Sequence, residues 1–262
     1  MIETLEDFIR EFRRINEEGW IQINGENQGP REVGRVLETR LGIPENNRGH
    51  ADFGNPETGY YELKASRGNS DLTLFTKSPM PRGILSRLRR DYGYPDETFT
   101  DALKLEIDLK VGNPTAIQQT GHILSIVCNE NGRLSIFDED NRECAHWDRD
   151  MLRRSFQNKF PHEKLVYVKS RTRHRNGREE FYYTEAFLKE LNFERFINLL
   201  EQGTIVVSLR LGLHPRGSEN EGKRHDHGVA FRISPHDSPS LFVNCRRIFP
   251  TENQEDRTPE TE

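Results

Sequence analysis

Apolar residues recur along this chain with two periods. At the start, Ile2, Leu5, Phe8, Ile9, Phe12 and Ile15 fall at helical spacing, which predicts an amphipathic helix over residues 2–18. Residues 19–29 hold three Gly and two Asn and read as a loop around a short WIQI strand. Pro30 is placed to open a second helix as its first residue, where a missing N–H costs nothing. Val33, Leu37 and Leu41 share one face of that helix, and Gly42 and Pro44 end it. Period two then takes over. Residues 51–53 and 60–65 predict two strands joined by the turn Asn55-Pro56-Glu57-Thr58-Gly59. Further strands are predicted at 72–77, 103–109, 122–128, 133–138, 164–170, 204–212 and 227–233. A short basic helix is predicted at 84–90. Phe187, Leu188, Leu191, Phe196 and Leu199 predict a longer helix over 185–201. The tail from Pro250 is expected to be disordered.

Strands and helices mix without regular βαβ alternation, and no repeat is present. The expected class is α/β of the mixed α+β kind, with a central mixed β-sheet flanked by helices. One domain over 1–250 with an acidic tail, 251–262, accounts for the length. Composition adds exclusions. Hydrophobic residues are 33% and charged residues 31%, and no apolar run reaches the ~20 residues of a membrane helix. The acidic, amphipathic N-terminus is unlike a secretory leader. Three cysteines without CxxC spacing exclude a zinc ribbon and a disulfide framework and fit a reducing cytoplasm.

The net charge of −5 is the wrong sign for a nucleic-acid binder, but it is unevenly spread. The last twelve residues carry five acids against one arginine, and residues 1–19 carry six acids against three arginines. Between them lie two basic runs, Arg82, Arg87, Arg89 and Arg90, and Lys169, Arg171, Arg173, His174, Arg175 and Arg178. Local clusters set the field a polyanion meets, although such runs also occur as solvated faces.

The most informative segment is Asp52-Phe53, then Glu62-Leu63-Lys64. On a strand, Glu62 and Lys64 project to one face, and a hairpin at 55–59 brings Asp52 beside them. Two carboxylates and the Leu63 carbonyl make an oxygen cage for a hard cation such as Mg²⁺, and Lys64 is placed to stabilise a phosphate or hold a water. This is the D-(x)n-E-x-K arrangement of metal-dependent nucleases. An E-x-K alone is also a common surface ion pair. Glu38, near Leu37 and Leu41, suits a further carboxylate beside the site or an exposed helix position. Later, KRHDHGVAFRI places His225 and His227 two apart on a strand, with Asp226 between them and Arg232 beyond. Zinc would need further ligands, and the nearest candidates are His214 and His236. Packed histidines at a strand start are a second reading and base recognition a third. For the third, these side chains supply mixed donors and acceptors, and Arg232 and Arg210 can bridge guanine O6 and N7.

These pieces together resemble the MvaI/BcnI family of type II restriction endonucleases, whose fold is similar to that of the repair nickase MutH. The carriers are VGRVLETRL, ADF…YYELK, LTLFTKSPMPRG with the following LRRDYG, and SLRLGLH…KRHDHGVAFRI, in that order from about residue 30 to 233. The resemblance implies Mg²⁺-dependent cleavage of double-stranded DNA at a short, GC-rich, CCNGG-like pseudopalindrome. It implies a cytoplasmic monomer that cuts the strands one after the other, with a cognate DNA methyltransferase in the same system. Asp52, Glu62 and Lys64 would be catalytic with Glu38 assisting, and Asp52, Glu62 and Leu63 would hold the metal. Arg210, His225, Asp226, His227 and Arg232 would read bases, and Lys77, Arg82, Arg87, Arg89 and Arg90 would contact DNA. Glu62 matches the MvaI branch, since the BcnI branch has His there. One position departs: the family pattern has Asp two residues before the recognition arginine, and here Ser208 stands there, a weaker acceptor from cytosine N4. A MutH-like nickase and a non-cleaving binder of the same fold are the alternatives, and the complete Asp52/Glu62/Lys64 set counts against the second.

Overall fold

In chain order the elements begin with α1 (Leu5–Glu17), β1 (Ile21–Gln22), α2 (Glu32–Leu41), β2 (Phe53–Asn55) and β3 (Gly59–Ser66). They continue with β4 (Leu72–Thr76), α3 (Ile84–Tyr92), β5 (Tyr94–Pro95), β6 (Leu103–Leu109), β7 (Thr115–Ala116), β8 (Ile123–Cys128), β9 (Leu134–Phe137), β10 (Glu143–Trp147) and α4 (Arg149–Lys159). The last are β11 (Lys164–Arg175), β12 (Arg178–Leu191), α5 (Phe193–Glu201), β13 (Val206–Leu213), β14 (Arg224–Ile233) and β15 (Phe242–Phe249). The computed structural model describes residues 2–22, 32–44, 51–68, 70–214 and 216–250, and only the backbone at 225–227. Pro30 and the acidic tail 251–262 lie outside the described residues. By its contacts the chain divides into two compact units, each discontinuous in sequence: residues 1–70, 157–192 and 242–262, and residues 71–156 and 193–241.

The first unit is built on a mixed sheet in the order β1-β12-β11-β3-β2, with β15 also on β12. Its β3–β11 pair is parallel and its other pairs are antiparallel. Thr4 starts α1 with a reciprocal cap: its hydroxyl accepts from the Asp7 N–H, and the Asp7 carboxylate accepts from the Thr4 N–H, each at 3.1 Å. Such a cap contributes about 1 kcal/mol. Phe8, Phe12 and Ile15 of α1 and Val33 and Leu37 of α2 pack on Tyr61, Leu63, Val166, Val168, Phe181 and Tyr183 of the sheet. Each large side chain buried there stabilises the unit by about 1.5–3 kcal/mol. The Tyr183 hydroxyl donates to the Val33 carbonyl at 2.7 Å, fixing α2 against β12. Alternation along β3 sends Tyr61 and Leu63 into this core and Glu62 and Lys64 to the other face.

The second unit holds the antiparallel sheet β4-β14-β13-β6-β5 and the smaller sheet β10-β9-β8-β7. Alternation along β6 and β13 buries Leu105, Ile107, Leu109, Val207, Leu209 and Leu211. An aromatic cluster of Phe75, Phe156, Phe193, Phe196 and Phe231 fills the interior, with Phe75 and Phe231 stacked at 4.8 Å. The expected mixed α/β class is what the chain adopts.

Two local expectations change. The helix predicted over 185–201 forms only as α5, and residues 185–191 belong to β12. There β12 pairs with β11 on one edge and β15 on the other, and those ladders outweigh a helical spacing of apolar residues. The strand predicted at 164–170 runs on to Arg175 and returns as β12. β10, α4 and β15 were not predicted at all.

Candidate active site and nucleic-acid interface

Glu62 lies at the middle of β3, only 1% exposed. Its Oε1 is 2.7 Å from Lys64 Nζ and 2.8 Å from Lys159 Nζ at the end of α4. Among the described residues its Oε2 has no hydrogen-bond partner. Asp52 precedes β2, where its N–H donates to the Tyr61 carbonyl at 3.0 Å. Its Oδ2 accepts from the Leu63 N–H at 2.7 Å, which places this carboxylate beside Glu62. Burial first, and the Glu62 charge second, push the Asp52 carboxyl up to about 7. Burial opposes the charge on Lys64, but Glu62, Asp52 and Glu38 more than offset it and its pKa is raised, so Lys64 is a firm cation. Glu38, on α2, therefore adds to the field around Lys64.

The donor set fits a hard divalent cation. A buried carboxylate oxygen with nothing bonded to it and a second carboxylate driven toward protonation are both relieved by a cation between them. The described residues contain no group of three or more His, Cys, Asp or Glu side chains placed to hold a metal.

A second polar cluster covers one face of β6, β13 and β14. Ser208 and Asp108 are opposite each other in the β13–β6 register, as are Arg210 and Glu106. Asp108 Oδ1 accepts from Ser208 Oγ at 2.6 Å and from Arg210 at 2.9 Å. Arg232 donates to Ser208 Oγ at 3.2 Å and pairs with Asp71 at 2.9 Å. Both arginines remain partly open to solvent, 34% for Arg210 and 24% for Arg232. In the β13–β14 pair the register slips between Leu209 and Leu211, where β14 carries one residue more, and Gly228 there has φ +75°. A bulge of this kind re-aims neighbouring side chains, and it explains the glycine after His225-Asp226-His227. The side chains of those three residues are not described. Thr76, Lys77, Ser78 and Gly228 line a shallow pocket beside the bulge.

The sequence profile of the MvaI/BcnI restriction endonuclease family matches residues 9–242. The chain belongs to the MvaI/BcnI restriction endonuclease family. A solved structure described as a complex of restriction endonuclease MvaI with cognate DNA substrate aligns with a TM-score of 0.81 at 26% identity, over 94% of this chain and 99% of that one. MvaI in the absence of DNA aligns with a TM-score of 0.53 at 24% identity, over 95% of this chain and 98% of that one, a likeness of fold alone. No curated protein sequence matches. The MvaI/BcnI assignment makes this chain a type II site-specific endonuclease.

Sequence reasoning missed three functional candidates of this MvaI/BcnI chain. Lys159 reaches Glu62 from 97 positions along the chain, and no local pattern marks it. Asp108 and Asp71 pair with Arg210 and Arg232, and their signal in the sequence is a carboxylate on the open face of a half-buried strand or beside one. Asp108 also answers the Ser208 departure: a carboxylate stands on the same rung, held by the Ser208 hydroxyl. Among the basic run, Arg82, Arg87 and Arg90 are exposed and Arg90 pairs with Asp91 at 2.8 Å. Arg89, expected to contact DNA with its neighbours, is instead 3% exposed, because α3 turns it inward with Leu88 and Tyr92.

Proposed function

We propose that this restriction endonuclease hydrolyses double-stranded DNA with Mg²⁺ held by Asp52, Glu62 and the Leu63 carbonyl. The observation that carries the reading is the buried oxygen of Glu62 that has no partner among the described residues, beside Asp52 and two lysines. A bound divalent cation supplies charge neutralisation at the phosphoryl group and acidifies water. The chain's own residues do the rest. Glu62 fixes the Lys64 ammonium, which donates to the attacking water or to a non-bridging phosphate oxygen. Asp52, kept in place by the Leu63 N–H, would be held in its carboxylate form by a bound cation. Glu38 adds negative charge that keeps Lys64 protonated. Arg210 and Arg232, with His225, Asp226 and His227, read a GC-rich, CCNGG-like pseudopalindrome from one groove, and Asp108 accepts from cytosine N4 in place of a carboxylate at 208. Lys77, Arg82, Arg87 and Arg90 contact phosphates. The enzyme acts as a cytoplasmic monomer that cuts the strands in sequence, alongside a protecting methyltransferase. Among the described residues no helix is long and apolar enough to cross a membrane.

The test is plasmid cleavage with end sequencing, with and without Mg²⁺. Lys64→Ala is expected to abolish cutting while binding in Ca²⁺ survives. Near wild-type cutting by Lys64→Ala overturns the assignment.

A further inference from the structure

The second basic run, 169–178, lies on the long β11–β12 hairpin of the catalytic unit. Asn176 and Gly177, with φ +54° and +72°, form its two-residue turn, and Arg175 and Arg178 are the last opposed pair before it. The register fixes which side of the sheet carries the charge. Lys64 of β3 lies opposite Tyr167 of β11, so the two share a face. Every second residue of β11 from there, Lys169, Arg171, Arg173 and Arg175, follows on the same face: the register shift between Lys169 and Ser170 places its extra residue in β12, and the buried Val166, Val168 and Ser170 keep the alternation of β11. Across on β12, Tyr182 opposes Arg171, Glu180 opposes Arg173 and Arg178 opposes Arg175. The face that bears Glu62 and Lys64 therefore continues into a row of cations.

Acids do not neutralise the whole row. Lys169 pairs with Glu185 at 2.8 Å, and Arg173 pairs with Glu180 at 2.6 Å. Arg171, Arg175 and Arg178 are exposed and make no ion pair among the described residues. Arg175 and Arg178 stand directly opposite each other, an arrangement that costs stability unless an anion lies between the guanidinium groups. At about 3.3 Å per residue, Arg171 lies about 13 Å and Arg175 about 26 Å beyond the Lys64 rung. A DNA strand spaces its phosphates by about 3.4 Å along the axis, so this reach corresponds to about four to eight nucleotides.

We propose that the β11–β12 hairpin is a phosphate-gripping arm, in which Arg171, Arg175 and Arg178 hold the DNA backbone outside the recognition site, about four to eight nucleotides from the scissile phosphate. This rests on the nuclease reading of Asp52, Glu62 and Lys64. The arm carries no base-reading geometry, so its contribution is independent of sequence and sensitive to salt. It holds the duplex against the catalytic face irrespective of the bases beyond the site.

The experiment compares wild type, the triple variant Arg171→Gln/Arg175→Gln/Arg178→Gln and the charge-keeping triple variant Arg171→Lys/Arg175→Lys/Arg178→Lys. Binding to a 30-base-pair random-sequence duplex is measured in Ca²⁺ across a salt series, and thermal melting confirms that each variant folds. Three lost phosphate contacts lower the slope of log affinity against log salt by about 2–3 units, and the lysine variant keeps the wild-type slope. A wild-type slope in the folded glutamine variant overturns the arm, as does an equal loss in the lysine variant. Plasmid cleavage by wild type in Mg²⁺ is scored separately. If wild type cuts no plasmid, the nuclease reading fails, whatever the hairpin does.

Discussion

A buried carboxylate with two lysines on one oxygen and nothing on the other is costly in a metal-free protein. Among the described residues Glu62 carries two lysines on Oε1 and no hydrogen-bond partner on Oε2, and Lys159 is the partner that local sequence could not supply. Lys159→Ala is expected to slow plasmid cleavage by about ten- to hundredfold, the usual cost of removing a group that orients a metal ligand, while Lys159→Arg keeps most of it. A Mg²⁺ titration of the cleavage rate checks this, because weakened cation holding shifts the midpoint upward. Arg232 and Arg87 test the proposed division between base reading and phosphate contact. Arg232→Ala should cost about 1–3 kcal/mol on the cognate duplex and little on scrambled DNA. Arg87→Ala should weaken both alike and lower the salt slope by about one unit. Equal losses on both duplexes for Arg232→Ala would remove its base-reading role.

At the scale of elements, the turn between β9 and β10 shows how one carboxylate holds a hairpin and a helix together. Asp138 accepts from the Asp140 and Arg142 N–H groups, from the Arg142 side chain and from the Tyr92 hydroxyl at the end of α3. The Arg142 N–H first, with burial opposing it and the Arg142 guanidinium and Tyr92 assisting, holds the Asp138 carboxyl down to about 2. A carboxyl lowered by folding stabilises the native state above its unfolded pKa of about 4, and the contribution is lost as pH falls through about 2. Wild type should therefore lose stability between pH 4 and pH 2 more steeply than Asp138→Asn. Thermal melts across that interval test it, and identical pH profiles would refute the role of Asp138. Element reading from sequence worked where one face alone decides the fold, as in α1, β6 and β13. It failed in β12, where Phe187, Leu188 and Leu191 fit a helical spacing but sit in a strand paired on both edges.

For the whole molecule, the proposed monomer has one set of catalytic residues for two DNA strands. A monomer with that single set is expected to nick supercoiled plasmid before linearising it, so open-circular DNA should accumulate transiently under limiting enzyme. Direct conversion to linear product by a stable dimer, seen by light scattering, would contradict this. The sequence by itself determined the mixed α/β class, the family, the hairpin that joins Asp52 to Glu62 and Lys64, and the presence of arginines on strands that should otherwise be apolar. These are short-range facts: alternation fixes a face, and a five-residue turn fixes a neighbour. Tertiary structure alone decided that Lys159 pairs with Glu62, that Asp108 stands on the rung of Ser208, that Arg89 turns inward, and that the basic run 169–178 continues the face of Glu62 and Lys64. Each of these depends on which strand or helix packs beside which. That choice is made by ladder pairing and core burial summed over residues far apart in the chain, so no local pattern of hydrophobic and polar positions encodes it.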